Sequence, residues 1–158
     1  MMNSITPIDT RLLDATSERA RHSPRRRQNH NFHRDGDASN RLLNAIAPAS
    51  YVQPHRHCDA ARDETMVAVR GKLALIVFAE NGSIIETCTF AAGADCVGVN
   101  IPHGTWHTVL ALEPGSVFFE AKAGPYQALT DADRAPWAPA EGTPAAAELL
   151  AQWRAMFR

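Results

Sequence analysis

Residues 72–90 read KLALIVFAENGSIIETCTF, and this stretch decides the class of the fold. Two runs rich in Leu, Ile, Val, Phe and Thr, Lys72–Ala79 and Ser83–Phe90, flank Asn81-Gly82, a dipeptide that readily takes the left-handed backbone a tight hairpin needs. Working outward, the same texture recurs. Upstream, Leu42–Ala47, Tyr51–His57 and Met66–Arg70 read as strands. Downstream follow Cys96–Ile101, Thr105–Leu112 and Ser116–Ala121, the last two separated by a Pro114-Gly115 turn. Arg27–His33 alternates and adds a possible edge strand. Short strands at this spacing predict an all-β sandwich or closed barrel, a shape that removes exposed edges.

The ends differ in character. Thr6-Pro7 predicts a helix start with Thr6 as cap, and Ile8, Leu12 and Ala15 carry it to about Ala20 before Ser23-Pro24 stops it. Pro125–Pro144 is rich in Pro, Ala and Asp and should wrap the surface. Thr143-Pro144 then opens a last helix whose Leu149, Leu150, Trp153, Met156 and Phe157 share one face. That face either packs on the core or makes a dimer contact. The chain thus divides into a helix and basic arm (1–40), a barrel (41–124) and a tail with a helix (125–158), one domain overall.

An apolar fraction of 45 % is enough for a packed core. No run is long and apolar enough for a membrane span, and the first residues lack a signal peptide's apolar stretch, so a cytoplasmic protein is expected. Cys58, Cys88 and Cys96 form no CxxC pair and predict neither a disulfide framework nor a zinc ribbon. The net charge of −1 conceals an asymmetry. Arg19, Arg21, Arg25, Arg26, Arg27 and Arg34 fall in a stretch that contains no acid. They read either as a solvated basic loop or as an anion site, since a guanidinium forks onto phosphate or carboxylate. A neutral chain with no aromatic stacking pattern beside so short a cluster argues against nucleic acid.

Chemistry concentrates at a few positions. In Pro54-His55-Arg56-His57 the histidines are two apart, so on a strand both face one way. Two imidazoles entering a dry interior side by side are costly alone and are satisfied together by a metal. Glu64 follows seven residues later, and His107 comes just after the Pro102–Gly104 turn. Asn29, Asn31 and His33 alternate with Arg27, so one strand face presents all four, in a pocket or at an exposed edge. Glu120 and Lys122 alternate with Phe118. Facing inward, they could move a proton or bind an anion; facing outward, they are an ion pair. Cys58, opposite in sense to His57, should pack in the core.

These residues resemble the cupin motifs. His55, His57, Glu64 and Gly71 fit the first, HxH-Glu-Gly, and Pro102, Gly104 and His107 fit the second, PxGxxH. The gap from His57 to Glu64 is longer than the family's usual three or four residues, which leaves Asp59 and Asp63 as alternative carboxylates. Cys96 stands where a glycine is usual. The stretches RxNxNFH, NRLLNA, SYVxPHRHxDxxRDE, IPxGxWHT, LEPGSVFFEAKxGPY and APWAPAEG are similar to cupin-fold metalloproteins of the WbuC type, encoded among O-antigen polysaccharide genes.

The resemblance implies a cupin jelly roll, or double-stranded β-helix, with short terminal helices. It implies one divalent metal (Fe, Mn, Ni, Co or Zn) on His55, His57, Glu64 and His107, and a homodimer. An open coordination position would give the metal a catalytic role. The expected function is isomerisation or epimerisation of an anionic small molecule, a sugar or sugar nucleotide of surface-polysaccharide synthesis. Glu120 and Lys122 would be catalytic, and Arg27, Asn29 and His33 would bind substrate. The alternatives are an Fe(II)-dependent oxygenase and a non-catalytic, metal-dependent binding module.

Overall fold

The computed structural model describes residues 4–158. Its elements run α1 (Thr10–His22), β1 (Arg27–Asn31), β2 (Ser39–Ile46), β3 (Glu64–Arg70), β4 (Lys72–Phe78), β5 (Ile84–Ala91), β6 (Gly98–Ile101), β7 (Trp106–Ala111), β8 (Ser116–Ala123), a 3-10 turn at Asp131–Asp133 and α2 (Pro144–Ala155). All pairings are antiparallel. They make a five-stranded sheet in the order β1-β2-β8-β3-β6 and a three-stranded sheet β5-β4-β7. This is a jelly roll of two facing sheets; among the described residues the strands do not hydrogen-bond into one continuous cylinder.

Alternation along each strand assigns every side chain to a layer. Between the sheets lie Ile46, Met66, Leu73, Leu75, Phe90, Ile101, Val109 and Phe118. On the outer face of the three-stranded sheet, Ala74, Ile76, Phe78, Trp106 and Leu110 meet Leu150 and Trp153 of α2. Buried on both faces, β7 has no exposed residue at all. The outer face of the five-stranded sheet packs Leu43, Ala45 and Val117 against Leu13 and Ala20 of α1. The terminal helices thus cover opposite sides of the sandwich. The α2 stripe is mostly core: Leu150 and Trp153 are buried, Leu149 and Phe157 pack beside them, and Met156 stays exposed.

Several local expectations change. The first helix begins at Thr10, not in the Thr6-Pro7 turn, because Asp9 accepts from the Leu12 N–H and caps it. The β4–β5 hairpin has a three-residue loop, Glu80 to Gly82, closed by Ala79 N–H to Ser83 O. Gly82 takes φ +83° there, and a Cβ would lie 2.7 Å from the Trp137 ring. Tyr51–His57 is extended but not a strand; only His55 makes bridges, to His107 and Arg134. Cys58 is exposed rather than in the core.

Candidate metal centre and its cavity

His55 is placed by two backbone bonds: its N–H donates to His107 O and the His107 N–H to His55 O, both at 3.0 Å. This lays the HxH segment along the free edge of β7. Arg56 points the other way, with its guanidinium 4.2 Å above the Trp106 ring and paired with Glu80 at 2.7 Å. The His57 carbonyl accepts from Gly104 N–H at 2.7 Å, which ties the segment to the turn before His107. On β7, His107 shares its inward sense with Val109 and Ala111. Glu64 opens β3, which also directs Met66 and Ala68 inward.

One ligand atom from each of His55, His57, Glu64 and His107 lies within 4.8 Å of the others. The extra residues between His57 and Glu64 are taken up by a turn in which Arg62 N–H donates to Asp59 O. Glu64, 2 % exposed, is therefore the carboxylate of the cluster. Asp59 is exposed, and Asp63 bonds His103 at 2.8 Å.

The cluster fits a divalent ion. Carbonyls of Gln53 and Thr105 lie 3.0 and 2.9 Å from Nδ1 of His55 and His107, positions that hold Nδ1 as the protonated nitrogen and aim Nε2 inward. Nε2 of His57 and of His107 stand 3.2 Å from Glu64 Oε2 without hydrogen-bonding alignment, and all three atoms are buried and unpartnered. Buried polar atoms are seldom left so, and one ion would satisfy them together. Burial, with His107 alongside, pushes the His55 imidazole down to about 3, so it is neutral as a ligand must be. Burial alone would raise the Glu64 carboxyl, but His107, His57 and Lys122 hold it well below the usual carboxylate value.

Beside the cluster is a cavity of about 200 Å3 reaching His55, His57 and Glu64. A larger one of about 290 Å3 shares His55, Glu120 and Lys122 with it. Arg27, Asn29 and His33 all line the larger cavity, so the expected site residues come together. Arg27 is not a free cation. It binds Glu141 through both terminal nitrogens, at 2.5 and 2.9 Å, and Arg25 shares that carboxylate at 3.2 Å. His33 Nδ1 accepts from Arg41 N–H at 2.9 Å.

Glu120 and Lys122 form an inward pair, 2.7 Å apart, and not an exposed one. Asn44 Nδ2 donates to the other Glu120 oxygen at 2.6 Å. Burial and the neighbouring Glu64 push Glu120 up to about 7 against the pull of Lys122. Burial would lower Lys122, but Glu120 and Glu64 raise it overall. Asn31, expected on the same strand face as Arg27, lines the cavity too, and so do Asn40, Asn44 and Arg134, which were not expected. The signal for two of them was available: Asn40 and Asn44 alternate with Leu42 and Ile46 on one strand face.

A jelly roll with three histidines and a glutamate converging inside it defines a cupin-fold protein with a candidate metal site. Residues 8–90 match the family described as "Domain of unknown function (DUF6016)", and the chain belongs to that family. No curated protein matches the chain. Among solved structures it is similar to KdgF from Halomonas sp., at 19 % identity and TM-score 0.52, covering 67 % of this chain and 85 % of that one. It is also similar to CapF bound to 3-isopropenyl-tropolone, at 18 % identity and TM-score 0.56, covering 71 % of this chain and 32 % of that one. The capsular polysaccharide assembling protein CapF from Staphylococcus aureus aligns at 19 % identity and TM-score 0.50, covering 61 % and 26 %. The chain therefore spans under a third of either CapF chain. No helix among the described residues is long and apolar enough to cross a membrane.

Proposed function

We propose that the chain is a metal-dependent cupin enzyme that isomerises or epimerises an anionic sugar or sugar nucleotide of surface-polysaccharide synthesis, in the cytoplasm. One observation carries this reading: His55 belongs both to the metal cluster and to a cavity lined by four cationic side chains against two carboxylates. A buried anion needs such partners. Arg25 and Arg27 share one carboxylate, so their end keeps a surplus positive charge for phosphate. Asn29, Asn31 and Asn44 supply the neutral donors and acceptors that sugar hydroxyls require. The WbuC-type motifs support the polysaccharide setting.

A divalent ion held by His55, His57, Glu64 and His107 would polarise a carbonyl or hydroxyl oxygen. The chain's own residues do the rest. Glu120, raised to about 7, can hold or release a proton at its carboxyl near neutral pH. Asn44 fixes that carboxyl's orientation, and Lys122 Nζ keeps a proton 2.7 Å from it. The homodimer implied by the resemblance belongs to this reading as well, but α2 is spent on its own core, so another face must serve. A monomeric mass by light scattering at micromolar concentration rejects it.

The test is a thermal-shift screen of metal-loaded protein with nucleotide sugars, sugar phosphates and neutral sugars, since a bound ligand stabilises the native state by mass action. Anionic sugars should raise the melting temperature, and anaerobic turnover of a stabilising compound should follow. Stabilisation by neutral compounds alone rejects the reading. Turnover only with dioxygen replaces it with an Fe(II) oxygenase, and binding without turnover leaves a non-catalytic binding module.

A further inference from the structure

The most informative residue in the cavity is one whose side chain has no hydrogen-bond partner. Asn40 is 1 % exposed and lines the larger cavity, yet neither its Nδ2 nor its Oδ1 has a hydrogen-bond partner. A buried amide with both ends unpartnered is rare, because it forfeits its hydrogen bonds to water for none in the protein. Asn44, on the same strand face, has its partner in Glu120. Asn40 does not.

Its position is set by register. Asn40 is the Cα partner of Lys122 on β8, and Lys122 is in turn the partner of Glu64 on β3. One row thus runs Asn40, Lys122, Glu64 across three adjacent strands. Two strand spacings put Asn40 about 10 Å from Glu64, backbone to backbone. The cavity, about 290 Å3, is at the small end of ligand pockets, which run from about 300 Å3 upward. That is room for one sugar ring and a substituent, with any nucleotide lying outside.

The amide also selects by chemistry. Oδ1 needs a donor and Nδ2 an acceptor. A phosphate or carboxylate answers only Nδ2, and an ammonium only Oδ1. A hydroxyl, or two on adjacent carbons, answers both.

Resting on the sugar reading above, we infer that Asn40 is a specificity-determining residue that pairs with a hydroxyl of a single sugar ring, on the far side of Lys122 from the metal cluster. The anionic substituent then lies toward Arg25 and Arg27, and the ring hydroxyls lie along the asparagines.

Calorimetric titration of metal-loaded wild type, Asn40→Leu and Asn40→Asp tests it, with glucose, galactose and mannose 1-phosphates and inorganic phosphate as probes. Asn40→Leu keeps nearly the same shape and removes both polar atoms. It should weaken the best-bound hexose phosphate about tenfold or more, leaving inorganic phosphate binding and metal content unchanged. Its ligand-free melting temperature should hold or rise, because two unpaired polar atoms are gone. Asn40→Asp, which keeps an acceptor and loses the donor, should also weaken hexose phosphate binding. Wild-type affinity in either variant overturns the inference while leaving the sugar reading intact. So does a lower ligand-free melting temperature of Asn40→Leu with an unchanged preference for hexose phosphate over phosphate, which marks a structural amide. A wild type that binds none of the hexose phosphates rejects the sugar reading and this inference together.

Discussion

Lys122 stands between two buried carboxylates, with its Nζ 2.7 Å from Glu120 and 3.8 Å from Glu64. Glu64 belongs to the metal cluster and Glu120 to the cavity wall, so a single ammonium links the charge balance of the two. Removing it would leave like charges facing each other in a dry interior.

Lys122→Met should therefore cost about 3 kcal/mol of stability, read by urea denaturation at pH 7. Adding Glu120→Gln should recover part of that loss, because contacting residues do not act additively. A double variant no more stable than Lys122→Met would show that the pair is not coupled.

Glu64→Gln should lower metal affinity about tenfold or more, whereas Asp59→Asn and Asp63→Asn should leave metal content at the wild-type level. Elemental analysis of the three purified variants decides it. His55→Ala/His57→Ala should be almost free of metal, and equal content in that variant and wild type would sink the assignment.

Glu141 offers a pH dependence away from the cluster. Burial would raise its carboxyl, but Arg27 and Arg25 hold it below the ordinary value of 4.5. A group depressed on folding contributes stability above its unfolded value and loses it as pH falls through the folded one. Glu141→Gln should accordingly flatten the decline in stability below about pH 4.5, seen as a weaker loss of melting temperature between pH 5 and pH 3.

Trp153, 4 % exposed, stacks on Tyr51 and packs on Phe78. Trp153→Ala should cost about 3–5 kcal/mol in denaturant unfolding without altering metal content. A metal-depleted but equally stable variant would reverse the assignment of α2 to packing alone.

Much of this was legible in the sequence, for reasons that also mark where legibility stopped. Strand alternation and the Asn81-Gly82 turn are local signals, and the eight strands from Arg27 to Ala123 lie where they pointed, Tyr51–His57 being the one expected strand that does not form. The histidines were legible because a two-residue spacing survives even where the chain is merely extended. Glu64 was open to doubt because spacing says nothing about the Asp59–Arg62 turn that absorbs the surplus. Cys58 was misplaced for the same reason, since alternation ends where that turn begins. Arg27 faced the cavity as expected, but its partner Glu141 lies 114 residues away, and no local pattern could have paired them.

The place of β8 in the sheet also fixes when the cavity can exist. It lies between β2 and β3, so the wall bearing Asn40 and the strand bearing Glu64 are joined only through the last strand made. During synthesis, a ribosome that has released only β1 to β7 holds the histidines and glutamate of the cluster without the strand that sets their neighbours. Such long-range closure slows folding and leaves sheet edges bare meanwhile. A metal captured early would meet a cluster that still lacks Lys122, the cation that stands beside Glu64 once β8 has paired.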